Sequence, residues 1–160
     1  MGILSNTSTY AIRAALYVAS ARLAAGDFMS TRRIAEDLDV PFPFLAKVLK
    51  EMVQAGILGS QRGPAGGVSL ARPASQITLL DIVRSVHGDE IFASCVLGLP
   101  ACDNEHPCAL HEPWRVQRAQ LESLFVKTTL ADLVERAADD DAPLRAPGRS
   151  GDGRGRRRNP

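Results

Sequence analysis

Aromatic residues make up only 5% of this 160-residue chain. Its core must therefore be built from Ala, Leu, Val and Ile rather than from stacked rings, a composition that favours helices. Nowhere do the roughly 20 apolar residues needed to span a bilayer run together. The opening MGILSNTSTYAIRA also lacks a basic segment followed by an apolar run, so the expectation is a cytoplasmic chain with no membrane partner. A global excess of one charge is missing too. The net charge of +1 excludes a protein that coats nucleic acid by bulk charge, and any such partner must be met locally. Cysteine is scarce: Cys95, Cys102 and Cys108 all fall within one stretch of fourteen residues. An odd number in a reducing compartment argues against a disulfide framework and turns the question to metal or thiol chemistry. No nucleophile stands on a strand-turn signature, so no catalytic residue is assigned and the chain reads as a non-enzyme.

The length gives room for one compact domain with an appendage. Charge is unevenly spread along it. Residues 1 to 72 hold eight Lys/Arg against five Asp/Glu (+3), residues 73 to 136 five against nine (−4), and residues 137 to 160 six against four (+2). The first helix is expected from Ser8 to about Ala25, with Ala11, Ala15, Val18 and Arg22 at helical spacing and Gly26 ending it. Ser30 is a good N-cap for TRRIAEDLDV, where Ile34, Ala35 and Leu38 share a face up to about Asp39. After Pro41 and Pro43, the residues Leu45, Val48, Leu49, Met52 and Val53 follow the amphipathic pattern to Gly56. ILGSQ and VSLAR flanking the turn RGPAGG read as two strands. Three helices and a hairpin in this order predict a winged helix-turn-helix over residues 1–76.

Residues 77–138 are read as a linker helix, a cysteine loop and a long dimerisation helix. Thr78 and Asp81 form a capping-box start for TLLDIVRSVH, which Gly88 stops. Pro113 stands at an expected first helical position, with Trp114, Leu121, Leu124 and Phe125 along one stripe. Thr129 and Asp132 suggest another start. Residues 139–160, DDDAPLRAPGRSGDGRGRRRNP, have too little apolar surface to offset the entropy of ordering and read as a disordered tail. The fold class expected is mainly α with a small β-hairpin wing.

In a helix-turn-helix the first helix props the second so that the second enters the major groove of double-stranded DNA. The reading end here is Pro41, Phe42, Pro43 and Phe44, with Lys47 and Lys50 a turn further on. Phe suits thymine methyls, and Lys a guanine edge or a phosphate. Arg32 and Arg33 suit backbone phosphates. In the wing, Arg62 lies beside Gly63, Gly66 and Gly67, whose missing side chains let backbone approach a narrow groove where Arg is favoured. A module that binds protein instead would use Phe42 and Phe44 as partner contacts.

The loop SCVLGLPACDNEHPCALHEPW supplies three thiolates, with His111 three residues beyond the last and His106 as a competing imidazole. Soft thiolates select iron–sulfur clusters or zinc. The cysteine intervals exceed those typical of zinc-ligand pairs, which favours a cluster and keeps zinc, or reversible thiols, as the alternative.

Taken together, TYAIRAALYVA, IAEDLDVPFPFLAKVLKEMVQAGIL, RGPAGGVSLARP, ITLLDIVRSVHG and the loop ending CDNEHPCALHEPW resemble the Rrf-two family of winged-helix transcriptional regulators over about residues 3 to 136. The resemblance implies a homodimer, its helix from about Pro113 crossing that of its partner and its two heads reading the halves of a palindromic operator. It also implies a two-iron or four-iron cluster reporting on nitric oxide, redox state or cluster supply. Cys95, Cys102, Cys108 and His111 match the family's ligand positions, although the first cysteine interval is one residue longer than in the best-known members. Some members take a carboxylate from near the N-terminus as the fourth ligand. Thr9 stands just before Tyr10 here, which leaves His111. Members without the cysteines respond to other effectors, so an unrelated small molecule is a further alternative.

Overall fold

The computed structural model describes residues 4–21, 27–88 and 90–139. The helix α1 (Asn6–Ser20) starts at Ser5, whose hydroxyl accepts the Ser8 N–H, and buries Ala11, Ala14, Ala15 and Val18. The expected end of this helix, from Arg22 to Gly26, lies outside the described residues, as do 140–160, nearly all of the expected tail.

The short helix α2 (Thr31–Leu38) ends at Asp39, which takes the left-handed conformation at φ 52°. Asp tolerates this region because its short polar side chain can bond locally. The turn directs Val40 into the core and leads at once into α3 (Phe42–Gln54), with Pro43 in the first turn, where a missing N–H costs no helical bond. Leu45, Val48, Leu49 and Met52 are the buried face of α3, as their spacing predicts.

The wing is an antiparallel pair, β1 (Leu58–Gln61) and β2 (Gly67–Leu70), in the register Leu58 to Leu70 and Gln61 to Gly67. Its inner edge carries a contact that the hairpin pattern did not foretell. Met29, just before α2, pairs with Val68 through mutual backbone bonds of 2.8 and 2.9 Å. Gly67 makes this approach possible: a Cβ there would lie 2.0 Å from the Met29 carbonyl oxygen.

Beyond the wing, a 3-10 turn at Ala74–Gln76 precedes α4 (Leu79–His87), whose capping box of Thr78 and Asp81 is fully formed. The short α5 (Glu90–Ala93) lies where sequence gave only loop. Next come α6 (His111–Lys127) and α7 (Leu130–Asp139). The start of α6 falls two residues before Pro113, which still occupies the first turn, and α7 opens on the expected Thr129–Asp132 cap, with an Asp132 N–H to Thr129 Oγ1 bond of 3.2 Å.

The principal core cluster joins α1, α2, α3 and the wing to Ile77, Ile82 and Leu130. Backbone bonds from Leu79 N to Thr128 O and from Leu130 N to Ile77 O stitch the start of α7 to the start of α4. Burial of Leu130 contributes roughly 1.5–3 kcal/mol to holding the C-terminal helices on the winged helix. A smaller cluster of Leu80, Val83, Phe92 and Phe125, with the two Phe rings edge-on at 5.6 Å, attaches α5 and α6 to α4. Of the residues of α6 only Phe125 is buried, and Val116, Leu124 and Val126 stand exposed. Among the described residues no helix is long and apolar enough to cross a membrane.

The Met29 contact can be tested directly. Gly67→Ala is expected to lower stability by about 1–3 kcal/mol, seen as a lower urea midpoint at unchanged m value. Gly59→Ala, whose methyl would meet only Ser69 Oγ at 3.6 Å, is expected to change it by less than about 0.5 kcal/mol. Equal shifts from the two variants would show that the Met29 carbonyl does not dictate glycine at position 67.

Candidate DNA-reading groove and cysteine centre

A groove of about 470 Å³ opens between the start of α2, the outer face of α3 and the wing, and Arg32, Phe42, Lys50, Arg62, Gly63, Gly66 and Gly67 all line it. Three elements thus bring seven of the residues singled out in the sequence to one concave surface. Arg32 lies over the ring of Phe42, with its guanidinium carbon 5.2 Å from the centroid, a cation–π contact that couples the start of α2 to the first turn of α3. Phe42 stays 41% exposed, enough to offer an edge to a partner. Gly66 is crowded by the Gln61 carbonyl, which a Cβ would approach to 2.3 Å, so the wing tip folds tightly with Arg62 at its base.

The other residues singled out lie elsewhere. Pro41, Pro43 and Lys47 are exposed around the first turns of α3 outside the groove lining. Arg33 points along α2 toward Asp37 at 3.7 Å, its side chain 72% exposed. Phe44 is turned away: half-buried, it packs edge-on to Tyr10 at 5.7 Å and joins the core. Periodicity alone does not separate Phe42 from Phe44, because both precede the first buried leucine. Thr31, Ser60 and Gln61 also line the groove. Sequence missed Ser60 and Gln61 because a two-stranded wing with few apolar residues does not declare which strand face meets α3, and Thr31, at the start of α2, carries no charge to mark it.

The second site forms where the chain between α5 and α6 doubles back. The Sγ atoms of Cys95, Cys102 and Cys108 all lie within 4.8 Å of one another, with Cys95 and Cys108 3.7 Å apart. His111 closes the fourth side, its Nδ1 3.3 Å from Cys102 Sγ. These four side chains, with Asn104 and Arg118, line a cleft of about 220 Å³. His106 is occupied elsewhere: its Nδ1 lies 3.3 Å from Asp103 Oδ1 and its side chain is 75% exposed.

Backbone groups build this arrangement. The Gly98 N–H donates to Cys95 O, the Cys102 N–H to Leu99 O and the His111 N–H to Cys108 O, at 3.0, 3.2 and 3.0 Å. Two side chains of α6 grip the other end of the loop. Trp114 Nε1 donates to the Ser94 carbonyl at 2.9 Å, and Arg118 to the Ala93 carbonyl at 2.7 Å. Both ends of the cysteine segment are therefore fastened to one helix. Trp114 looked like part of an apolar stripe in sequence, and its indole N–H role could be found only once α5 was known to end beside it.

The thiols are not equivalent. Cys95 is lowered to about 7, chiefly by the backbone N–H of Leu99, against a smaller opposing effect of burial. Cys102 is raised: the backbone N–H of Cys108 favours its thiolate, but burial and the neighbouring Cys108 and Cys95 thiols together outweigh it. Asp103 is held below the ordinary carboxylate range, first by the His106 N–H and then by that of Glu105. Soft sulfur donors beside an imidazole fit an iron–sulfur cluster or zinc; the three thiols lie within 4.8 Å of one another, and the imidazole adjoins them at Cys102.

Comparison with known proteins agrees with this organisation. Residues 4–136 match the family described as "Rrf2: Iron-dependent Transcriptional regulator". A candidate HTH-type transcriptional regulator of Aquifex aeolicus (strain VF5) is 34% identical over 134 residues, covering 82% of this chain and 91% of that one. Among solved structures, CymR (YrzC), the global cysteine regulator of B. subtilis, superposes with a TM-score of 0.69 at 25% identity, covering 85% of this chain and 98% of that one. IscR of T. potens shares the fold with a TM-score of 0.69 at 24% identity over 88% of this chain and 91% of its own. The chain belongs to the Rrf2 family of winged-helix transcriptional regulators.

Proposed function

We propose that this chain is a homodimeric, sequence-specific repressor. Its affinity for a palindromic operator in double-stranded DNA is tuned by an iron–sulfur cluster held by Cys95, Cys102, Cys108 and His111. The convergence of three thiols within 4.8 Å, one of them 3.3 Å from the His111 ring at the start of α6, carries this reading. The family's description as iron-dependent supports it. When bound, the cluster supplies one-electron chemistry and a reaction centre for nitric oxide or oxygen.

The rest of the mechanism belongs to the chain's own residues. Arg32, Lys50 and Arg62 around the groove neutralise phosphates, while Phe42 and the start of α3 read base edges. Arg33, Lys47, Pro41 and Pro43 flank that surface. Phe44, packed on Tyr10, acts by holding α3 on α1. The wing glycines Gly63, Gly66 and Gly67 keep backbone close to the duplex.

The exposed side chains of α6 are the surface proposed to meet the second copy. Leu124 also borders a groove of about 960 Å³ with Trp114, Leu121 and the start of α1. Trp114 and Arg118 tie α6 to the carbonyls before Cys95, and His111 is at once a ligand and the first residue of that helix. The order of the loop and the direction of α6 are therefore one constraint. In a dimer joined through α6, that direction sets the separation of two heads that must meet half-sites roughly 34 Å apart.

A thiol-switch reading comes second, favoured by the 3.7 Å approach of Cys95 to Cys108. A peroxide would take two electrons and two protons from this pair, giving a disulfide and water. The cysteine regulator CymR, solved also in an oxidised form in Staphylococcus aureus, is a structural neighbour. Zinc held by the same donors is the remaining alternative.

Anaerobic purification followed by iron, sulfide and zinc analysis separates these readings. The expected protein is brown, with matched iron and sulfide that Cys102→Ala loses while keeping its helical content. A colourless protein after reconstitution, with zinc or no metal, overturns the cluster. Duplex binding is expected to weaken steeply with salt, and Lys50→Ala to lower the slope of log affinity against log salt by about 1. A flat salt dependence would instead indicate a protein-binding module.

A further inference from the structure

Asn104 is unclaimed by the ligand set, yet its carboxamide faces the fourth ligand. Its Oδ1 lies 3.2 Å from His111 Nε2, while the opposite ring nitrogen, Nδ1, lies 3.3 Å from Cys102 Sγ. A neutral imidazole carries one N–H and one lone pair, and the partner of one nitrogen fixes the role of the other. A carbonyl oxygen can only accept, so it selects the tautomer with the proton on Nε2. That leaves the Nδ1 lone pair directed toward Cys102 Sγ, on the side where a metal held by the thiols would need it.

The turn that presents Asn104 is itself clamped. Asp103 Oδ1 accepts the N–H of Glu105 at 2.9 Å and that of His106 at 2.7 Å, spanning Asn104 on both sides. Asp103 Oδ1 is thereby engaged with the backbone and with His106, and although the Asp103 and Glu112 carboxylates lie near enough to interact with His111 by charge, the hydrogen-bond partner of its Nε2 is Asn104.

We infer that Asn104 is a positioning residue for the metal centre, fixing the tautomer and plane of His111 so that Nδ1 serves as the fourth ligand. This rests on the reading of Cys95, Cys102, Cys108 and His111 as one ligand set. It adds which ring nitrogen binds and which side chain aims it. Outer partners of metal-bound histidines orient the ring and raise its basicity, and their loss typically costs roughly ten- to a hundredfold in metal affinity.

The test is a competition titration of zinc(II) against a chromophoric chelator, on reduced full-length protein at neutral pH. Wild type would be compared with His111→Ala, Asn104→Leu and Asn104→Asp. Leucine matches asparagine in shape without an acceptor, whereas aspartate can only accept. Asn104→Leu is expected to weaken zinc binding by roughly ten- to a hundredfold, approaching His111→Ala. Asn104→Asp should hold or exceed wild-type affinity, at unchanged circular dichroism in all variants.

Wild-type affinity in Asn104→Leu would overturn the proposal. So would a parallel fall in Asn104→Asp, which would mean that the amide donates through its nitrogen or acts only in packing. Undiminished binding in His111→Ala would overturn it as well, by removing the ligand that Asn104 is said to aim. The outcome is independent of the native cofactor: a protein that assembles no iron–sulfur cluster loses the cluster reading, while the zinc affinities still decide the role of Asn104.

Discussion

Ala11, Ala14 and Ala15, each at 0% exposure, leave the middle of the inward face of α1, between Ser8 and Val18, with nothing beyond Cβ. Helices crossing such a face can approach toward the short end of the usual 8–10 Å interaxial range, and α1 packs against α3, α4 and α7. A larger side chain at any of these positions would have to push one neighbour outward, and close-packed cores accommodate an added methylene poorly. Both sites depend on this closeness. The groove needs α3 fixed against α1, as Phe44 on Tyr10 makes visible, and the cysteine loop needs α4 and α6 held at a set distance from the same helix.

Between the two sites the connection is short and physically continuous. Arg72, just beyond β2, reaches Asp81 at 3.2 Å, and Asp81 also closes the cap of α4 through the Thr78 N–H. From α4, Val83 and Leu80 pack with Phe92 and Phe125, and α5 ends on the carbonyls that Trp114 and Arg118 hold. The wing end and the thiol end therefore meet through one capped helix and one apolar cluster. Coupling across such a path requires an element with two discrete arrangements. On the proposed function that element would be the loop between Cys95 and Cys108, whose Val96, Leu97 and Leu99 side chains are about half exposed.

Legibility in the sequence followed the strength of local signals. The face of α3, the capping box at Thr78 and the stop at Asp39 were readable because each arises from residues three or four apart. The approach of the three cysteines was readable for a different reason: all three fall within one stretch of fourteen residues, so a single folded-back loop brings them together. What escaped were contacts made by groups far apart in the chain. The Met29–Val68 bridge, the turn of Phe44 toward Tyr10 and the grip of Trp114 on Ser94 have no periodic signature. Asn104 escaped as well. An asparagine in a polar turn is ordinarily a turn former, and only the placement of His111 at the head of α6 gives its oxygen a partner.

The uneven charge gains a structural sense from this layout. The excess of basic residues falls in the segment that forms the groove, while residues 73 to 136 carry the excess of acid. On the proposed function, an anionic duplex would be drawn to the α3–wing face and repelled by the cysteine-bearing half, so electrostatics would orient the molecule before any base contact forms. Within that acidic half, Arg118 is a cation that lines the thiol cleft, and it is already bonded to the Ala93 carbonyl. A guanidinium fixed there does two things at once. It satisfies a carbonyl at the end of α5, and it sets a permanent positive charge beside three sulfurs whose ligand form is anionic. Replacing it by lysine would keep the charge but lose the planar fork that directs it, so position and charge at Arg118 are one property of the site.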